Sequence, residues 1–251
     1  MLDVHTVAVP TGWLARANPV AKLAAALVLG FGAALSDDAV TPAVLVLLIL
    51  LILAAGGVTA VDILRRGWPL LVSAAGLGAT TLLFGDSPTP LLTALTVTFR
   101  VVAVALPGVV VLLTVDPTDL ADSLVQNAHV PARFAYAALA ALRLLPLMGA
   151  EWQTIKAARR ARGIDAGRNP LRHVELFAGT VFTLLVGAVR RGTRLALAMD
   201  ARGFDATGPR TLARPQVVRQ SDVALVVGAF VLLATAATVS IAFGTFQPVW
   251  A

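Results

Sequence analysis

The sequence predicts an all-α fold, a polytopic integral membrane protein of about five transmembrane helices with a large basic helical region before the last of them. Three observations carry this. The 251 residues are 58% hydrophobic and only 14% charged, where a soluble domain carries roughly 25% charged residues. Apolar runs near the length of a bilayer crossing, about 20 residues, recur along the chain. And of the 20 Lys and Arg, 15 lie between Thr114 and Gln220, the clustering that cytoplasmic segments show.

Taken in order, the first span is VAKLAAALVLGFGAAL, 20–35, closed by a turn at Asp37 and Asp38. The second is VTPAVLVLLILLILAAGG, 40–57, the strongest apolar run in the chain. VDILRRGW reads as a loop, with Asp62, Arg65 and Arg66 as a solvated cytoplasmic turn. The third span, 69–85, is short and rich in Gly, Ala, Ser and Thr, which suits close helix packing. GDSPTP turns the chain into a fourth span at 91–115, and a last one follows at 222–244. With the N-terminus inside, five spans put every basic loop in the cytoplasm and the C-terminus outside. The stretch 134–149 is apolar enough to dip into the bilayer, so a count of six or seven stays open. The expected domains are 1–115, spans one to four; 116–220, a cytoplasmic helical region; and 221–251, the last span and a short external tail.

The cytoplasmic region nets +7, fifteen basic residues against eight acidic. No aromatic-basic platform accompanies that charge, so nucleic acid is not expected as a partner. Cysteine is absent, which excludes disulfides and thiolate metal sites. The opening MLDVHTVAVPTGWLARANP lacks the basic region and apolar core of a cleavable signal. Targeting is therefore expected from the first span.

Within the basic region, Pro117, Thr118, Asp119 and Asp122 are helix-start signals for 117–128. Pro131 breaks the chain. A long Ala- and Leu-rich helix is expected from Ala132 to Arg162, with Pro146 as a kink. Asn169-Pro170 restarts the chain, and Val174, Phe177, Val181, Leu184 and Ala188 then fall on one helix face. That second helix runs to about Ala201. Each helix ends in nearly the same hexapeptide, ARGIDA at 161–166 and ARGFDA at 201–206. In both, a glycine follows the arginine and can supply a left-handed, helix-ending residue. Taken alone, one copy is a helix stop with a solvated arginine. Two copies, each at a helix end, point to a shared role. Ala and Gly let such a tip approach another surface, and Arg offers five fixed donors to a carboxylate-lined groove. Two similar tips suggest two similar receptors.

These residues resemble the transmembrane T component of energy-coupling factor (ECF) transporters, the family of cobalt-, biotin- and general vitamin-transport coupling proteins. The family's mark is the twin signature, here Ala161, Arg162, Gly163 and Ala201, Arg202, Gly203. NPVAKL at 18–23 resembles the entry to the first span, with Asn18 where Asp is usual. TVDPTDLADSL at 114–124 resembles the opening of the coupling region. ALRLLPLMGAEWQTIKAARRARG at 141–163, with Arg143 and Pro146, resembles the approach to the first signature, and ALAMDARGF at 196–204 the approach to the second.

The resemblance implies two long crossing cytoplasmic coupling helices. It also implies a role: joining two ABC-type ATPase subunits to a small membrane-embedded substrate-binding component, for vitamin or transition-metal uptake in a prokaryotic cell membrane. Arg162 and Arg202 would then be the docking arginines, with Asp165 and Asp205 supporting them. The chain itself is expected to be non-catalytic and to bind no cofactor, with ATP and Mg held by the partner ATPases. Accordingly the sequence has no G-x-x-x-x-G-K-[ST] loop, no G-x-S-x-G and no H-E-x-x-H.

Arg100 lies well inside the fourth span, where a charge is costly, and is expected to brace the coupling region. Pro107 is expected to kink the same span. His5, His129 and His173 have no ligand spacing. Trp13, Trp68 and Trp250 suit interfacial anchoring, and Trp152 a packing role. Three other readings compete: a conventional ABC importer permease, which usually presents one coupling loop; a self-contained secondary transporter, which often repeats its membrane halves; and an intramembrane enzyme, which would need paired acids or a Ser/His set inside the spans.

Overall fold

The computed structural model describes residues 13–55, 60–86, 88–164, 166–167, 169–204 and 212–245. Every regular element among them is a helix: α1 (Trp13–Arg16), α2 (Pro19–Ala34), α3 (Val40–Ala55), α4 (Ala60–Phe84), α5 (Pro90–Thr114), α6 (Pro117–Asn127), α7 (Ala132–Ala161), α8 (Pro170–Ala201) and α9 (Gln220–Ala242). Three of them start the same way. Asn18, Asp116 and Asn169 accept hydrogen bonds from the backbone N–H of Val20, Thr118 and Leu171, and a proline fills the first helical position. The cap satisfies an orphan donor, and proline's fixed φ suits a position that needs no N–H.

The chain forms two compact units, residues 1–130 with 215–251, and residues 131–214. In the first, α2 packs against α3, α5, α6 and α9, while α4 packs on α5. The core is apolar and built of small and branched residues, among them Ala25, Leu29, Ala33, Leu45, Ile49, Ala103, Leu106 and Ala236. The Gly- and Ala-rich third span does pack closely. A Cβ on Gly78 would overlap Thr98 Oγ1 of α5, and Ala74 one turn earlier is buried.

Polar ties close both ends of this core. At one end the Asn18 N–H donates to Asp222 Oδ1 at 2.8 Å, Ser123 Oγ donates to Asn18 Oδ1 at 2.6 Å, and Lys22 Nζ donates to the Thr114 carbonyl at 3.0 Å. At the other, Ser240 Oγ donates to Asp38 Oδ2 at 2.6 Å, and the Thr41 N–H donates to the same oxygen at 2.7 Å.

Arg100 belongs to this second end. It pairs with Asp37 at 2.7 Å and donates to the Ala34 carbonyl at 2.7 Å. It therefore braces the α2–α3 turn rather than the coupling region, a correction with a simple cause. Arg100 lies fourteen residues before Thr114 on α5, about 21 Å at the helical rise. The VDILRRGW loop is also corrected. The backbone is already helical from Ala60 and continues through Pro69. A proline inside a helix removes one hydrogen bond and usually only kinks it.

Among the described residues, five helical stretches are long and apolar enough to cross a membrane: 67–84 of α4, then α5, α7, α8 and α9. The number matches the expectation but the membership does not. α2 and α3 have 16 residues each, about 24 Å against a hydrocarbon core of about 30 Å. α7 and α8, with 30 and 32 residues, qualify on composition.

The second unit is the antiparallel pair α7 and α8. Its described buried residues are few, Ala135, Ala166 and Thr180. The helices meet at three levels. Near one end Tyr136 lies edge-on to Phe204, centroids 6.1 Å apart. In the middle Arg191 pairs with Glu151. Toward the other end Trp152 lies edge-on to Phe177 at 5.4 Å, and Arg159 donates to the Leu176 carbonyl at 2.7 Å and to Thr180 Oγ1 at 2.9 Å. The stripe read from the sequence is present on α8, but Val174, Phe177 and Val181 are exposed.

Candidate functional site

The two signatures end α7 and α8 with one backbone geometry. Arg162 caps α7 at φ −89°, ψ 7°, and Arg202 caps α8 at φ −92°, ψ 8°. The glycines that follow are left-handed, Gly163 at φ 72° and Gly203 at φ 73°. The Gly163 N–H donates to the Arg160 carbonyl at 2.9 Å, and the Ile164 N–H to that of Arg159 at 3.0 Å. The second tip repeats both bonds at the same lengths, Gly203 to Asp200 and Phe204 to Met199. This is a Schellman motif, which satisfies the last carbonyls of a helix and favours an apolar residue just beyond the glycine.

The motif accounts for four letters of the hexapeptide. Ala continues the helix, Arg caps it, Gly turns it, and Ile164 or Phe204 supplies the apolar residue. Asp165 and Asp205 lie outside the described residues.

All six signature residues are exposed. The arginines are thus presented to the surroundings on rigid helix ends. A Cβ added to Gly163 meets nothing within 4 Å, so its glycine is needed for backbone conformation and not for room within this unit. The first tip precedes the start of α8 and the second ends it, so a helix of 32 residues, about 48 Å long, runs between them in the chain.

They differ in charge. Arg159 and Arg160 occupy the last turn of α7, whereas the last turn of α8 has no basic residue and carries Asp200. Arg159 is held across the hairpin, leaving Arg160 and Arg162 exposed at the first tip.

Of the other expected residues, Arg143 and Pro146 are exposed on α7, and Arg100 serves the α2–α3 turn of the first unit. Sequence reasoning missed Arg159, Arg191 and Glu151, which fix how the two helices pair. Their only sequence signal is charge on otherwise apolar helices. The described acids and histidines form no group that could hold a metal ion.

Residues 10–212 match the family described as CbiQ, cobalt transport protein. The chain is also similar to the energy-coupling factor transporter transmembrane protein EcfT of Limosilactobacillus fermentum, 33% identical over 137 residues, 51% of each chain. The protein of the same description from Leuconostoc gelidum is 32% identical over 132 residues, 49% of each chain. That from Bacillus subtilis is 29% identical over 146 residues, 55% of each. The matched region thus spans about half the length of these curated relatives.

Proposed function

The chain belongs to the cobalt transport protein family CbiQ, and we propose that it is the energy-coupling transmembrane component of an ECF-type importer. In this reading Arg162 and Arg202 dock into two ATP-hydrolysing subunits, which hold ATP and Mg. The α7–α8 hairpin carries their motion to a small membrane-embedded substrate-binding protein. The cargo is a vitamin or a transition metal, and specificity lies in that third protein. The chain is non-catalytic, lies in the cell membrane of a prokaryote, and keeps its N-terminus and the 116–220 region in the cytoplasm.

One observation carries the reading: two near-identical exposed arginine caps, Arg162 ahead of α8 and Arg202 at its end, are set off from each other by a helix of 32 residues, about 48 Å long. One small groove cannot receive both, and two like receptors can. An arginine docked on a buried carboxylate is costly to replace, because its partner is left desolvated and unpaired.

The test is Arg162→Glu with Arg202→Glu in the full chain, expressed with its partners. The variant should reach the membrane, lose the ATPases on purification and support no uptake. Normal uptake by the double variant would sink the docking reading. The length and apolarity of α7 and α8 favour a second reading, a self-contained transporter with more spans. Purification in a detergent that preserves known complexes separates the two, since that transporter would come out alone.

A further inference from the structure

A cavity of about 580 Å³ lies among α2, α3, α5 and α9 in the first unit. That volume is within the range of about 300–1,000 Å³ that small-molecule sites occupy. Its walls are mostly hydrocarbon, with Leu29, Ile49, Val110 and Leu225 among them. A second cavity of about 210 Å³ adjoins it and is polar. The two share Lys22 and Thr114. The polar chamber adds Arg16, Arg219, Asp116 and Asp119. Three cations against two carboxylates leave its lining net positive. The nearby Asp222 carboxylate already accepts from the backbone N–H groups of Asn18 and Arg219.

We propose that this two-chambered cavity is a binding site for one anionic phospholipid. An acyl chain fills the apolar chamber, and the phosphate sits in the polar chamber against Lys22 and the exposed Arg16 and Arg219. Three features support that occupant over a soluble ligand. The large chamber offers almost nothing to a polar molecule, and water is a poor filler of an apolar void. The basic chamber sits at the end of the transmembrane helices, where basic pockets take up lipid head groups. Guanidinium groups match phosphate oxygens in pairs, as a fork to a fork.

The test uses the full chain in nanodiscs of equimolar phosphatidylglycerol and phosphatidylcholine, read by native mass spectrometry. The expected result is one retained lipid per chain, phosphatidylglycerol favoured about tenfold, because phosphatidylcholine offers the same phosphate but brings a quaternary ammonium that the cations of the polar chamber repel. Arg16→Gln with Arg219→Gln alters only exposed side chains and should bring the two lipids to parity. Gly228→Leu tests the other chamber. Gly228 lines it, and a Cβ there meets nothing within 4 Å, so the leucine should take up part of the chamber and weaken lipid retention. Equal retention of both lipids by the unmodified chain, or lipid retention undiminished by Gly228→Leu, would overturn the proposal.

Discussion

The glycine of the first tip gives the sharpest test of the site, because strain and contact can be separated there. Gly163 has φ 72° and open space around its missing Cβ. Any substitution therefore acts through the backbone alone. A left-handed conformation costs an ordinary L-residue about 1–2 kcal/mol, with β-branched residues at the upper end and asparagine well below it. Gly163→Val should lower the population of the capped tip about five- to thirtyfold, and Gly163→Asn only slightly. Two readouts are needed. Hydrogen exchange at the Ile164 amide, bonded to the Arg159 carbonyl, reports the cap. Affinity of the nanodisc-embedded chain for the proposed ATPase partners reports docking. Both should fall in the order Gly, Asn, Val. If Gly163→Val frees the Ile164 amide yet leaves ATPase affinity unchanged, the cap is a helix stop and the docking argument fails.

Three further outcomes are expected. The chain has no cysteine, so Ala161→Cys and Ala201→Cys each give a single label site; a cytoplasmic hairpin makes both react only from the cytoplasmic side, whereas if each of α7 and α8 crossed the bilayer, the labels would react from opposite sides. Arg162→Ala should weaken uptake less than Arg202→Ala, because Arg160 keeps the first tip cationic while Asp200 neighbours the second; the reverse order in a transport assay refutes charge as the reason. Asp37→Asn should change thermal stability in detergent little, about 0.5 kcal/mol for a half-exposed pair, while Arg100→Leu also strips the Ala34 carbonyl of its donor and should cost about 1–2 kcal/mol; equal Tm shifts would contradict this account of Arg100.

Much of this was legible from local chemistry. Pro117 with Thr118 and Asp119 marks where α6 begins, Asn169-Pro170 where α8 begins, and the two Arg-Gly steps where α7 and α8 end. Those signals are local, since a cap bonds to its own turn. What stayed hidden was long-range. Asn18, Ser123 and Asp222 form one polar layer but lie more than a hundred and two hundred residues from Asn18 in sequence, and nothing in a single chain announces such a meeting. Arg100 was visible as an unusual charge, yet its partner depended on which helix end lay beside it. The first turns of α4 resemble a loop in the sequence because Arg65, Arg66, Gly67 and Trp68 interrupt the apolar run. Hydropathy marks where lipid ends, not where a helix does.

The α7–α8 pair is turned inside out relative to a soluble hairpin. Its seam combines two aromatic pairs, Tyr136 on Phe204 and Trp152 on Phe177, with charge, Arg159 on the Leu176 carbonyl and Arg191 on Glu151, while Leu171, Val174, Phe182, Leu185 and Val189 stand exposed. Helices draw most of their stability from packing an apolar face and little from their own backbone propensity, and on these two helices of 30 and 32 residues most such faces are uncovered. The hairpin therefore requires apolar cover from lipid or from another protein. This mixed seam fixes how the helices pair while leaving most of the aliphatic faces uncovered. A partner can then pack on those faces while the arginine caps remain in place at the two ends. Covered faces and uncovered tips are what a rigid connector between a membrane-embedded protein and two further subunits needs. A helix pair with an apolar seam would satisfy itself and have nothing left to hold a partner with.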